Sequence, residues 1–228
     1  MAYIDSVPIH TQRSAEWYLS RQKLFSASNL WKLFSTDCQY NSIIYEKCKE
    51  IDLQMVTGSN LLSENPRNWG IKYEPVSVMI YEDMHKTKVN THYGCVPHKN
   101  YPIGASPDGI NIDPSNVDKF GRLLEIKNIV NRDITGIPKT EYWIQMQIQM
   151  EVCDLDMCDF LETRFKEFAT EEEYEASDVK YKGVIAYLIP KDNHQYTEKY
   201  EYMPLFTKDH SQWTTAQNND IYMVYKTF

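Results

Sequence analysis

The alternation of helical and extended patterns along this chain predicts an α/β fold, one domain in which helices flank a mixed β-sheet. Three observations carry that expectation. Apolar residues recur at helical spacing as far as Met84, short strand-like runs come next between turn residues, and a helical stretch at Thr140–Cys153 divides those runs from a second group of strands. Composition agrees: 228 residues, 42% hydrophobic and 25% charged, supply a core and a solvated surface and exclude a disordered chain.

In chain order, Ser14 is placed to cap a first helix ahead of Ala15-Glu16-Trp17. Ser28 is placed to cap a second running to Phe34, and residues 39–51 continue the helical pattern. Residues 57–68 read as a loop. A further helix is expected over residues 70–84, with Pro75 tolerable only near its first turn, where amide hydrogens have no helical partner. Its inward stripe would be Ile71, Glu74, Val78 and Tyr81. Burying an unpaired carboxylate costs several kcal/mol, so Glu74 either meets a partner or sits at the wet margin of the stripe. Strands are expected at 101–105, 110–112 and 123–129, then at 159–165, 182–189 and 195–205. The last two are joined as a hairpin through Pro190-Lys191-Asp192-Asn193. No internal repeat or linker interrupts the series, hence the expectation of a single domain over residues 1–228.

The longest apolar run, residues 183–189, falls far short of the roughly 20 residues that cross a bilayer. Met1-Ala2-Tyr3-Ile4-Asp5 shows no basic region ahead of an apolar one, so the expected location is cytoplasmic or nuclear. The cysteines (Cys38, Cys48, Cys95, Cys153, Cys158) are scattered without the paired spacing of a zinc or redox centre and read as reduced thiols. The net charge of -8 looks unsuited to a polyanionic partner, but residues 151–175 hold ten acids against Arg164 and Lys166. The remainder of the chain is therefore neutral, which permits one basic face, with the acidic run a solvated surface opposite.

Pro107-Asp108-Gly109 is by itself a turn signal. The strand at residues 123–129 changes its meaning. In Leu124-Glu125-Ile126-Lys127-Asn128, strand alternation puts Glu125 and Lys127 on one face, inside apolar flanks that point to burial. An exposed hairpin with an ordinary cross-strand ion pair is the plain alternative. An Asp at one strand end with Glu and Lys on its neighbour suits phosphodiester hydrolysis. Carboxylates are hard oxygen ligands for Mg²⁺ or Mn²⁺, the ion lowers the pKa of a bound water, and an ammonium holds the nucleophile or a phosphate oxygen. A Glu74 turned inward would complete the set.

These residues carry a resemblance. Ser106-Pro107-Asp108 followed by Glu125-Ile126-Lys127 resembles the PD-(D/E)XK signature of restriction-endonuclease-like nucleases. Further matches, in order, are similar to the lambda exonuclease or YqaJ-like viral recombinase family: Glu16-Trp17 to Arg21 and then Ser26-Ala27-Ser28, Trp69-Gly70 to Glu74-Pro75, Gly104 to Gly109, and Tyr142 to Gln145-Met146-Gln147. They extend over roughly residues 13–165. The resemblance implies a restriction-endonuclease-like mixed sheet flanked by helices. It implies Glu74, Asp108 and Glu125 as metal ligands with the Ile126 carbonyl, two Mg²⁺ ions for which Mn²⁺ can substitute, and Lys127 on the nucleophilic water. It also implies Gln147 beside the site with Gln145 as its less direct neighbour, and Arg21 and Ser28 in a pocket for a 5′-phosphate. Otherwise the glutamines are surface residues, Ser28 an ordinary cap and Arg21 a solvated side chain. His85, His92 and His98 lie between the motifs and are given no ligand role.

The implied activity is Mg²⁺-dependent 5′ to 3′ hydrolysis at double-stranded DNA ends, leaving 3′ single strands for recombination or repair. A single-strand annealing protein would be the partner, and a ring-shaped homo-oligomer is compatible. An endonuclease or nickase on the same scaffold, and a non-catalytic DNA-end binder, are the rival readings. Beyond Arg164 nothing carries a transferred role, and the tyrosines at 196, 200 and 202 are expected to cover the sheet.

Overall fold

A computed structural model of the chain describes residues 2–10, 14–50, 65–190, 199–216 and 221–227. Its early elements are α1 (Ala2–Asp5), α2 (Ala15–Gln22), β1 (Phe25–Ser26), α3 (Ala27–Leu30) with a 3₁₀ turn (Trp31–Phe34), α4 (Asp37–Cys48) and α5 (Pro66–His85). Five short strands come next: β2 (Val89–Asn90), β3 (Val96–Pro97), β4 (Ile103–Ala105), β5 (Gly109–Asn111) and β6 (Leu123–Asn128). Then come α6 (Thr140–Cys153), β7 (Cys158–Thr163), α7 (Glu171–Ala176), β8 (Val184–Pro190), β9 (Lys199–Tyr202), α8 (His210–Ala216) and β10 (Ile221–Thr227). The expected α/β class with mixed sheets is what forms. None of the described helices is long and apolar enough to cross a membrane.

The chain divides into two compact units, each assembled from separated stretches: Met1–Asn60, His85–Ile126 and Asp133–Glu162 in the first, Leu61–Met84, Lys127–Arg132 and Thr163–Phe228 in the second. In the first, β1 pairs parallel with β4, which pairs antiparallel with β3. A four-stranded sheet runs in the order β2-β5-β6-β7. Its β2-β5 and β5-β6 pairs are antiparallel. The N–H of Leu123 donates to the Met157 carbonyl and that of Ile129 to the Thr163 carbonyl, a constant offset that makes β6 and β7 parallel. Ile4, Ala27, Val96, Ala105, Ile110, Leu123 and Val152 form the core of this unit, and α6 lies against α3 and β4. Gly109 is needed where β2 meets β5, because a Cβ there would run into Val89 Cγ1.

The second unit pairs β8 with both β9 and β10, antiparallel on each side. Tyr73, Val76 and Ile80 of α5 and Ile185 of β8 make its core, edged by Trp69, Phe165, Tyr200 and Tyr202. Tyr200 and Tyr202 thus pack on the helix side of the sheet, while residue 196 lies outside the described residues.

Several local expectations are corrected. Ser14 caps α2 by accepting from the Trp17 N–H, but the cap position of α3 is Ser26, not Ser28, and the stretch to Phe34 finishes as 3₁₀. Thr36, not Gln39, starts α4, its hydroxyl accepting from the Gln39 N–H. α5 begins at Pro66, within the span expected to be loop. Asn65 Oδ1 accepts from the Asn68 N–H at 2.9 Å, and a proline just inside a helix start has no amide to leave unmatched. Pro75 consequently sits deep inside the helix, on its exposed side, where water can reach a carbonyl left without its amide. Of the expected stripe, Val78 and Tyr81 are buried, whereas Ile71 and Glu74 are half-buried. Position 51, most of the 57–68 loop and the turn after Pro190 lie outside the described residues.

Candidate functional site

Asp108 ends the turn that leads into β5, and the register of β5 on β6 sets Gly109 opposite Leu124. That register brings the half-buried Asp108 to the next strand, where the Ile126 N–H donates to Asp108 Oδ2 at 2.6 Å. One residue before Ile126, Glu125 has an exposure of 0%. A carboxylate so placed needs compensating donors, and Gln149 of α6 donates its Nε2–H to Glu125 Oε2 at 2.7 Å. Both acids act on one further group. The Cys158 thiol is pushed up chiefly by burial, then by the charges of Glu125, Asp159 and Asp108.

In the second unit, a clasp around Asn128, the residue after Lys127, ties the chain to α5, the helix that carries Glu74. Ser77 Oγ and Thr163 Oγ1 each donate to Asn128 Oδ1 at 2.7 Å, and Asn128 Nδ2 donates to the Gly70 carbonyl at 3.0 Å. Glu74 is four residues after Gly70 and three before Ser77, so it occupies the face of α5 that meets Asn128, the chain neighbour of Lys127. Lys127 is half-buried. On the other side, the Tyr202 hydroxyl is held well above the usual phenol range mainly by burial, with Tyr200 and the Glu74 charge adding to it.

A second group adjoins Asp108 in the first unit. Arg21, in the last turn of α2, lies over the Trp17 ring at 4.6 Å and donates from Nη1 to Ser106 Oγ at 3.2 Å, two residues before Asp108. Lys47 Nζ donates to the Arg21 carbonyl at 3.2 Å. Burial lowers the affinity of the Lys47 ammonium for its proton, opposed by Glu46 and assisted by the Arg21 charge. Arg21 is therefore a cation set beside a hydroxyl, with the Lys47 ammonium on its own carbonyl, which is a disposition suited to an anion. Ser28 is exposed, its Oγ 3.3 Å from Ser26 Oγ.

The glutamines lie on two faces of α6. Gln147 is exposed, while Gln145 and Gln149 on the other face of α6 are buried. The residue that reaches Glu125 is Gln149, four residues after Gln145, and Gln147 is turned away from it. Ile126 is engaged through its N–H. Among the described residues no group of three or more His, Cys, Asp or Glu side chains is gathered to hold a metal ion. The donors in the first unit are Asp108 and Glu125, all oxygen. That chemistry fits Mg²⁺, which takes one or two carboxylates and completes its shell with water and phosphate oxygens. Sequence reasoning missed Gln149, Asn128, Ser77 and Lys47. Only helix register offered a sign, since Gln145 and Gln149 fall on a common face.

The chain is similar to known proteins in sequence and in fold. Residues 16–156 match the family model of the YqaJ-like viral recombinase domain, more than half of the chain. A curated relative, uncharacterized protein R354 of Acanthamoeba polyphaga mimivirus, is 29% identical over 185 residues, covering 75% of this chain. The chain spans about a third (32%) of that relative's length. Among solved structures, LHK-Exo in complex with dAMP superposes with a TM-score of 0.50 at 25% identity over 65% of this chain and 73% of that one. A second structure, LHK-Exo described as an alkaline exonuclease from Laribacter hongkongensis, gives a TM-score of 0.50 at 24% identity over 66% and 74% of the two chains and shares the fold. The chain belongs to the YqaJ-like viral recombinase domain family.

Proposed function

We propose that this protein is a Mg²⁺-dependent deoxyribonuclease that degrades duplex DNA from its ends in the 5′ to 3′ direction. The observation that carries the reading is the pair of carboxylates on adjoining strands, Asp108 tied to the Ile126 amide and Glu125 wholly buried against Gln149. Family membership and the LHK-Exo likeness support it. The dAMP in that relative is the kind of product that stepwise DNA hydrolysis releases.

Asp108 and Glu125 would hold a divalent cation, which when bound supplies an acidified water and neutralises charge on the phosphate, and Glu74 is the further ligand that the family resemblance implies. The chain's own groups do the rest. Lys127 orients the water and steadies the charge that develops on the phosphate oxygen. Arg21, with Ser106 and Lys47 behind it, takes the terminal 5′-phosphate, and this contact sets polarity because only a chain end offers that group. The remaining 3′ strand would pass to a single-strand annealing protein.

The acids are tested by Asp108→Asn and Glu125→Gln, near-isosteric changes that remove a ligand charge and keep the packing. Each is expected to lower release of nucleotides from an end-labelled duplex at least about a hundredfold, the order of effect seen when one electrostatic group is lost from an active site. Thermal midpoints should hold, since Glu125→Gln removes a buried charge. Undiminished hydrolysis in either variant contradicts the assignment.

A further inference from the structure

Gln149 has no part in the ligand set, yet it is as deeply buried as the acid beside it, both at 0% exposure. Its Nε2–H donates to Glu125 Oε2 at 2.7 Å. Because a carboxylate only accepts, the amide must present its nitrogen there and turn its oxygen away. That oxygen, Oε1, is buried and has no hydrogen-bond partner among the described residues. A residue serving only to fill this part of the core would be better as Met or Leu, which occupy similar space and leave no acceptor unmatched. The amide is kept for Glu125.

We propose that Gln149 is a positioning residue for Glu125, locking one carboxylate oxygen so that a divalent cation is met by the other alone. The inference rests on the nuclease reading. An unrestrained carboxylate can rotate and grip an ion with both oxygens, filling two positions of its shell. With Oε2 held on the amide, the plane of the carboxylate is set, and one more position stays with water or a phosphate oxygen. The same N–H offsets the buried charge before an ion arrives. α6 is suited to this task. It is anchored against α3 and β4, and it ends cleanly at Asp154, whose left-handed backbone (φ 56°) returns its N–H to the Met150 and Glu151 carbonyls. Gln149 therefore sits on a rigid support, as a group that orients a ligand must.

The test is a Mn²⁺ titration of the DNA-free full chain, monitored by the electron paramagnetic resonance signal of free Mn²⁺, for the parent and Gln149→Met. Thermal midpoints and a duplex cleavage series are read alongside. Binding is expected to weaken about tenfold, the lower end of what loss of an outer hydrogen bond costs a metal site. The Mn²⁺ concentration giving half-maximal cleavage should rise by a similar factor, with KM for duplex unchanged. A shifted thermal midpoint with an unmoved titration would mark a merely structural glutamine and overturn the proposal. Should Gln149→Met not fold, Gln149→Asn, which retracts the amide by one methylene, goes through the same titration and is judged by the same two outcomes. A parent that neither binds Mn²⁺ nor cleaves DNA overturns the nuclease reading and this inference with it. A parent that binds, beside variants that bind equally well, overturns the inference alone.

Discussion

Arg21 is the side chain on which the proposed end recognition rests. Its guanidinium is flattened on Trp17 and tied to Ser106, so its fork is partly ordered before any ligand arrives. Replacing it with Ala should cost about tenfold or more in cleavage of 5′-phosphorylated duplex, the loss of a charge-assisted contact, while 5′-hydroxyl ends are affected far less. Paired assays on the two substrates check this, and an equal loss on both would remove Arg21 from end recognition. Residue by residue, the sequence is only partly readable. Glu125 stands out because an apolar strand gives little reason for an acid, and only beside it does Asp108 read as more than an ordinary turn residue. Gln149 does not, since which face of α6 meets β6 is decided by packing between segments 24 residues apart. Ser28 misleads for a related reason. Ser26 and Ser28 are both good caps, and only the short strand β1, paired with β4, sets where the helix begins.

Among the elements, α6 is legible to both ends because straight-chain helix formers make up half of it, seven of its 14 residues, whereas the pattern of α5 starts four residues later than the helix itself. Asn65-Pro66 is equally at home in a loop, and the interior Pro75 argues for a start closer to that proline. Tertiary packing of Tyr73, Val76 and Ile80 outweighs the one lost hydrogen bond. β10 has β-branched and aromatic residues that suit a strand, but its partner is not legible, because β8 is more than thirty residues away and pairing of that kind has no local signature. The same dependence on neighbours makes Gly109 a test of the sheet. A methyl group there would strike the stiff, β-branched Val89, so Gly109→Ala should destabilise the fold by about 1–3 kcal/mol. Because Asp108 precedes it directly, cleavage should fall as well. Chemical denaturation measures the first effect, and an unchanged midpoint would mean that β2 does not press on β5 at this point.

For the molecule as a whole, the acidic stretch at 151–175 is more than a solvated patch. Asp159 bonds Lys119 at 2.6 Å and Arg122 at 3.3 Å, Asp154 faces Lys99 at 3.4 Å, and Glu167 accepts from Lys72 and Tyr73. Glu171 and Glu175 hold His210 at 2.9 and 3.1 Å. The three acids in the first turn of α7 also favour that helix through its dipole. Charge counting from sequence locates the run but not its pairing, because the cations come from distant segments. These pairs commit several bases within the chain, so the proposed recognition of a DNA end falls to others, Arg21 foremost. That Asp108 and Glu125 make this a metal-dependent enzyme acting at DNA ends is tested most directly by incubating the parent protein with linear 5′-phosphorylated duplex and with covalently closed circles, each with Mg²⁺ and with EDTA. Mononucleotides are predicted from the linear duplex with Mg²⁺ alone, and intact circles throughout. Cutting of circles, or release of nucleotides in EDTA, would contradict it.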